Sequence, residues 1–197
     1  LLLHADFAAN RRGGRRASLK FVDLTGINLA GRVLRGIDLT GACLRHARLA
    51  GADLSDAILY GADLTRAELD GADLTRADMR GAILAEARIR RATMVRTDLR
   101  EGALLTQRES GLAPLRAEAA TVVVGALLQG TRMAGARLRG SVLGKADLRD
   151  ADLSGSNLTG ADLTDADLTG ADLEAAVCVG ATFRGARLEA AILNNAD

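Results

Sequence analysis

The chain has 197 residues, a net charge of +1, 48% hydrophobic residues and only 2% aromatics, with one Pro and no Trp. This excludes a strongly basic or acidic partner-binding chain and an aromatic-rich core, and leaves one large domain or two small ones built on Leu and Ala. No run approaches the roughly 18–20 apolar residues of a membrane helix, and two distant cysteines, Cys43 and Cys178, indicate no disulfide framework.

Residues 1–9 follow a five-residue period faintly, with Leu2 and Phe7 five apart and Ala5 two before Phe7. The apolar start LLLHADF has no basic segment before it, and the chain begins with Leu, so residues upstream are expected to be missing. NRRGGRR (10–16) interrupts and is expected to be a surface loop. Its Arg11, Arg12, Arg15 and Arg16 are candidate contacts for an anionic partner, without the spacing of a nucleotide-binding P-loop.

A strict period then takes over. Leu19, Leu24, Leu29 and so on to Leu54, Leu64, Leu74, Leu99 and Leu104 recur every five residues, with Ala usually two places before each. Five fits neither the helical 3.6 nor the strand 2.0, so it marks an internal repeat. Between 107 and 120 the register breaks at QRESGLAPLRAEAA, which holds Pro114 and is expected to be a short helix or compact loop; Arg108 and Glu109 within it are candidate contacts. The period resumes one residue out of phase at Val123 and runs through Leu153, Leu163 and Leu173 to Leu193.

This tandem A-(D/N)-L-x-x pattern, as in Ala52-Asp53-Leu54, Ala72-Asp73-Leu74 and Ala161-Asp162-Leu163, resembles the pentapeptide-repeat family over about 17–106 and 121–195. The resemblance implies an all-β fold: a right-handed quadrilateral parallel β-helix with four pentapeptides to a coil and Leu and Ala inward. About eight to nine coils spaced as paired strands would make a rod on the order of 40 Å long. The expected organisation is a single solenoid over 1–197, with a first block at 1–106, an insertion at 107–120 and a second block at 121–197. Leu54, Leu64, Leu74, Leu153, Leu163 and Leu173 are expected core.

Gly31, Gly41, Gly51, Gly61, Gly71 and Gly81 recur every ten residues, while His46, Asp56, Arg66, Arg76 and Glu86 hold most of the alternate corners. Two opposite corners are therefore expected to use type II turns and the other two a turn that tolerates side chains. Arg32 at an alanine position predicts a wider or rearranged first coil around 30–34, because a shaft will not bury an unpaired guanidinium. Thr97 and Gly102 at alanine positions predict a looser shaft before the insertion.

The candidate surfaces follow. Asp147, Asp152, Asp162, Asp167 and Asp172 lie in a band, 147–174, whose acids are unbalanced. Asp53 should stack over Asp73, Asp147 over Asp167 and Asp152 over Asp172, where the carboxylates either form a binding row or accept hydrogen bonds from turn amides. Arg80 and Arg100 should share one side with Tyr60, in an arginine set that interleaved acids compensate. Cys43-x-x-His46 supplies two metal ligands at most, and Cys178 at a central-Leu position should be a buried small hydrophobe.

No catalytic set, cofactor site or metal site is expected, and no small-molecule substrate. The favoured reading is a rigid scaffold for a protein partner, with homodimerisation through an end coil as a further expectation. The resemblance implies an alternative, a DNA mimic binding DNA gyrase in quinolone resistance, although this chain has Leu at most central positions where that subgroup carries Phe. A weaker alternative is contact with nucleic acid or an anionic surface through the arginine loop. A bacterial, cytoplasmic setting is the expectation that accompanies these readings.

Overall fold

The computed structural model describes residues 2–108 and 111–197. A short helix, α1 (Leu2–Ala8), precedes the repeats, and two strands, β1 (Gly102–Arg108) and β2 (Gly111–Ala119), interrupt them. From Ser18 on, the remaining described residues form four-sided coil.

The residue before each central Leu pairs in parallel with the equivalent residue twenty positions on, which gives four ladders. The first side runs Ser18, Asp38, Ile58, Asp78, Asp98, Arg137, Asn157, Val177. The second runs Asp23, Cys43, Asp63, Ile83, Val122, Val142, Asp162, Thr182. The third runs Asn28, Arg48, Glu68, Arg88, Leu127, Asp147, Asp167, Arg187, and the fourth Val33, Asp53, Asp73, Thr93, Arg132, Asp152, Asp172, Ile192. A side holds one paired residue between turns, so the backbone groups are satisfied from coil to coil rather than along a strand. The Leu54 amide donates to the Asp73 carbonyl at 2.7 Å, and the Asp73 amide returns to the Ala52 carbonyl at 2.9 Å.

The shaft is filled by Leu and Ala. From Leu34 to Leu99 every central side chain is at most 1% exposed, including Leu54, Leu64 and Leu74, and Leu153, Leu163 and Leu173 match them in the second block. Each alanine closes a turn as well as filling space: the Ala52 amide donates to the Leu49 carbonyl at 3.0 Å. Near the N-terminal end the same position accepts a larger apolar residue, Ile37, which is fully buried.

All four corners use the same turn. Gly51 and Gly61 lie at φ 64° and 62°, and His46, Asp56, Arg66, Arg76 and Glu86 lie at 56–58°. The expected alternation of turn types is therefore corrected: it is a sequence alternation without a conformational one. A type II turn demands positive φ at its third residue, and a side chain adopts it at roughly 1–2 kcal/mol. Shaft packing on both flanks overrides that cost. Gly51→Ala, whose new Cβ meets nothing within 4 Å, is expected to cost about 1 kcal/mol in a urea melt. The backbone strain is partly offset by the lower entropy of the unfolded alanine chain.

Four other expectations change. Residues 2–8 are helix, not a repeat. The insertion is an antiparallel hairpin of β1 and β2 rather than a helix or compact loop, and Pro114 pairs with Leu105 within it. It begins at Gly102, so Leu104 belongs to β1 and not to the shaft. The first coil keeps its geometry around 30–34: Gly31 and Gly36 hold φ 64° and 67°, and the Arg32 amide bonds the Leu29 carbonyl at 3.1 Å. Arg32 is exposed because an end coil has a neighbour on one side only.

Nor does the shaft loosen at Thr97, which is fully buried with its hydroxyl donating to the Leu74 carbonyl at 2.9 Å. Thr131 and Ser141 also take alanine positions and donate to the Leu128 and Leu138 carbonyls at 2.7 and 2.6 Å. A small hydroxyl fits the alanine site when the turn carbonyl is within reach.

The hairpin is inserted without breaking the ladders. Asp98 pairs with Arg137, thirty-nine residues on instead of twenty, so nineteen residues are extra to that coil. Thr121 closes the gap: its hydroxyl donates to the Arg100 carbonyl at 2.7 Å and accepts the Gly81 amide at 2.9 Å.

Candidate interaction surfaces

At the N-terminal end, α1 lies against the first coil. His4 is 1% exposed, and the Ala17 amide donates to its Nδ1 at 3.1 Å. Gly14 packs so closely that a Cβ there would collide with the Phe7 amide nitrogen. The arginine segment 10–16 is tied down at both ends, through the Arg11 amide to the Asp6 carbonyl at 2.8 Å and the Arg15 amide to the Leu3 carbonyl at 2.8 Å. The Arg11 guanidinium reaches Asp6 at 3.3 Å, and Arg16 donates to the Gly36 carbonyl. Arg12 and Arg15 face solvent.

Burial holds His4 below its usual pKa of 6.5, and the Nδ1 acceptor requires the neutral ring. The contact is therefore intact above about 6.5 and is lost as the pH falls below that value toward the folded pKa. The protection factors of the amides in residues 2–8, corrected for the pH dependence of intrinsic exchange, are expected to fall on acidification through this window, and His4→Leu should abolish the dependence.

The first side carries Tyr60, Arg80 and Arg100 one coil apart, as the spacing predicts. Arg80 grips Asp78 through two bonds of 2.9 and 2.8 Å, and Arg100 grips Asp98 at 2.9 and 2.7 Å. The Arg80 guanidinium also lies 5.2 Å from the Tyr60 ring centre. Both arginines are thus neutralised within their own side; exposed pairs of this kind contribute roughly 0.2–1 kcal/mol.

The acidic band does not form one surface. Twenty residues complete a coil, so 147–174 wraps right round the rod. Asp147 and Asp167 stack on the third side, Asp162 lies on the second, and Asp152 and Asp172 stack on the fourth. The Arg149 guanidinium holds Asp147 below the usual carboxylate range through bonds of 2.8 and 2.7 Å, and Arg187 reaches Asp167 at 3.4 Å.

Every one of these aspartates also has a structural task. The carboxylate accepts the backbone amide two residues on, at 3.0 Å from Ser154 to Asp152, 2.9 Å from Thr164 to Asp162 and 2.8 Å from Glu174 to Asp172. Asp53 and Asp73 do the same with Ser55 and Thr75. That bond anchors the second residue of each corner, which explains Asp before Leu throughout.

Arg108 lies in β1, but its side chain and the whole of Glu109 lie outside the described residues. Cys43 and His46 find no third ligand, since no group of three or more His, Cys, Asp and Glu among the described residues could hold a metal. Cys178 is half-buried rather than fully buried, because it belongs to the last coil. No helix among the described residues is long and apolar enough to cross a membrane. An open groove of about 530 Å³ runs past Arg76, Asp78, Arg96, Asp98 and Arg137 along the corner between the fourth and first sides.

Two features escaped the sequence reading. The second side is free of charge over three coils at Ile83, Ala85, Val122, Val124, Val142 and Gly144. The fourth side brings Arg132 beside Thr93, between Arg91 and Arg96 of the coil before. Counting in twenties, with nineteen added after Glu101, would have found both.

The family described as Pentapeptide repeats matches in eight copies, over 17–56, 33–70, 62–100, 124–160 and 161–197. Among solved structures, the chain is similar to HetL, a pentapeptide repeat protein involved in heterocyst differentiation regulation from the cyanobacterium Nostoc. The two are 31% identical over 98% of this chain and 91% of HetL, with a TM-score of 0.38. It is also similar to QnrB1, a plasmid-mediated fluoroquinolone resistance protein, at 18% identity over 92% and 84% of the two chains and a TM-score of 0.48. A pentapeptide repeat protein of the Arabidopsis thaliana thylakoid lumen matches at 28% identity over 64% and 61%, with a TM-score of 0.26. No curated protein matches. With the repeat profile spanning both blocks and the ladder geometry in agreement, the chain belongs to the pentapeptide-repeat family.

Proposed function

We propose that this chain is a non-enzymatic scaffold that offers the sides of a rigid rod, and the hairpin that leaves it, to a protein partner. The observation that carries this reading is the filled shaft. Central Leu and Ala side chains from Leu34 to Ala176 are at most 2% exposed, so the interior is spent on stability and recognition falls to outward residues and to β1–β2. A rod stacked by nearest-neighbour coils keeps those residues at fixed spacing.

The hairpin provides the test, because it can be removed in register. Excising 102–120 joins Glu101 to Thr121 and restores the five-residue spacing from Leu99 to the next central position, Val123. Glu101 would then occupy a corner, as Glu86 does at φ 56°. The excised protein is expected to keep the far-UV circular dichroism of the β-helix and to lose the partners that wild type retains in an affinity pull-down read by mass spectrometry. An identical set of retained proteins from both forms would remove the hairpin from the proposal.

A second reading, binding to DNA gyrase as a DNA mimic, draws support from the fourth side. There Asp152, Asp172 and Glu174 have no ion-pair partner among the described residues. It fails if the protein neither inhibits gyrase supercoiling nor protects it from a quinolone at micromolar concentration.

A further inference from the structure

The charges of the rod are distributed differently on its four sides. The first and third sides neutralise most of theirs internally, through pairs such as Arg80–Asp78 and Arg149–Asp147. The fourth side does so only near its N-terminal end, through Arg35–Asp53. Arg91 and Arg96 occupy its two edges in one coil, at φ 55° and 57°, and Arg132 stands between them one coil further on. All three are exposed and make no ion pair with a described residue. Beyond Arg132 the same ladder continues through Asp152 to Asp172, with Glu174 beside it, and these three carboxylates are likewise without a cation. Asp73, one coil before Thr93, is also without a cation among the described residues, so it is from the coil of Thr93 onward that free cations come first and free anions follow.

Such a surface complements its own antiparallel copy. A two-fold axis lying in the plane of contact, between the coils of Arg132 and Asp152, reverses the rod direction and leaves left and right edges unchanged. Arg132 then meets Asp152 of the second copy. Thr93, between the two edge arginines, meets Asp172. Arg91 falls at the edge of Gly170, next to Asp172, and Arg96 at the edge of Ala175, next to Glu174. The Asp150 carboxylate lies over Gly170, where it would face Arg91, Ala175 is small, and Ala134 against Ser154 leaves room for two flat sides to approach. Asp73 meets Ile192, so the register creates no like-charge pair.

We propose that the fourth side is a self-association surface on which two copies of this chain pack antiparallel. This goes beyond the scaffold reading and differs from contact through an end coil. Six coils at about 4.8 Å and a side about 10 Å wide fall well short of the roughly 800 Å² per partner of a standard interface. The dimer is accordingly weak, concentration-dependent and dissociated by salt, because its complementarity is electrostatic.

Sedimentation equilibrium over a concentration series, in low and in molar salt, is the experiment, with circular dichroism to establish that each variant is folded. Wild type should dimerise at low salt only. Arg132→Glu places two like-charge contacts in the dimer and should weaken it roughly tenfold or more, as should Asp152→Arg. Mixing these two variants restores opposite charges at both contacts, so a heterodimer should form from two proteins that are each monomeric alone. Val179→Asp, exposed in the last coil but on the first side, should change nothing. A protein that is monomeric at every concentration, a dimer indifferent to Arg132→Glu, a mixture that stays monomeric, or a dimer abolished by Val179→Asp would each overturn the proposal.

Discussion

Leu64→Ala is expected to lower the unfolding free energy by about 3–5 kcal/mol, read as the midpoint shift of a urea melt followed by circular dichroism. Leu64 is wholly buried at mid-rod, with coils stacked on either side. Removing its isobutyl group forfeits the transfer energy and leaves a cavity. The neighbours that could collapse into the gap are themselves pinned, since the Leu64 amide is bonded to the Ile83 carbonyl at 2.7 Å and the Ala67 amide to the Leu64 carbonyl at 2.9 Å. Leu188, which is only partly buried in the last coil, serves as the comparison. Leu188→Ala should cost less than half as much, because the shaft is open beyond it. Equal losses at the two positions would refute a continuous packed shaft.

Ala72→Arg is expected to be more severe still, costing more than about 4 kcal/mol, enough to unfold the surrounding coils. Ala72 is fully buried and its amide closes a turn onto the Leu69 carbonyl at 2.9 Å. An arginine there must either bury an unpaired charge or force the turn open. The instructive contrast is Arg32, which occupies the same repeat position in the first coil and is exposed. The identical residue is therefore harmless at the end of the rod and ruinous in its middle. Limited trypsin digestion should cut Ala72→Arg within the neighbouring coils, while wild type is cut only at exposed segments; a resistant, fully folded variant would contradict the narrow shaft.

These contrasts separate what a repeat announces from what it conceals. The Leu at every fifth position and the Ala two before it translate directly into burial, because a five-residue side has room for one large and one small inward side chain. The stacks Asp53 over Asp73 and Asp152 over Asp172 were equally legible, since twenty residues make a coil. The corners were misread: alternation of Gly with His46, Asp56 and Arg66 suggested two turn types, yet packing imposes positive φ on all of them. Arg32 and Thr97 were misread for a related reason. Whether a polar residue disturbs the shaft depends on an open end or a carbonyl within reach, and neither is written at the residue itself.

The candidate surfaces were the least legible part. A contiguous acidic stretch looks like a patch, but a chain that turns a corner every five residues deals successive charges to successive sides. Asp147, Asp152 and Asp162 consequently end on three different sides. The free charges of the fourth side come from residues 41 positions apart, Arg91 and Arg132, joined only because the hairpin adds nineteen residues to one coil. The sequence by itself determined the repeat, the family, the inward Leu and Ala, and the place where the register fails, because periodic burial is a local rule repeated many times. Only the tertiary structure decided that the interruption is a hairpin, that every corner shares one turn, that α1 covers the first coil through His4, and which charges are neutralised. Those outcomes depend on contacts between coils, where the offset at the insertion and the two ends of the rod break the symmetry that makes the repeat readable.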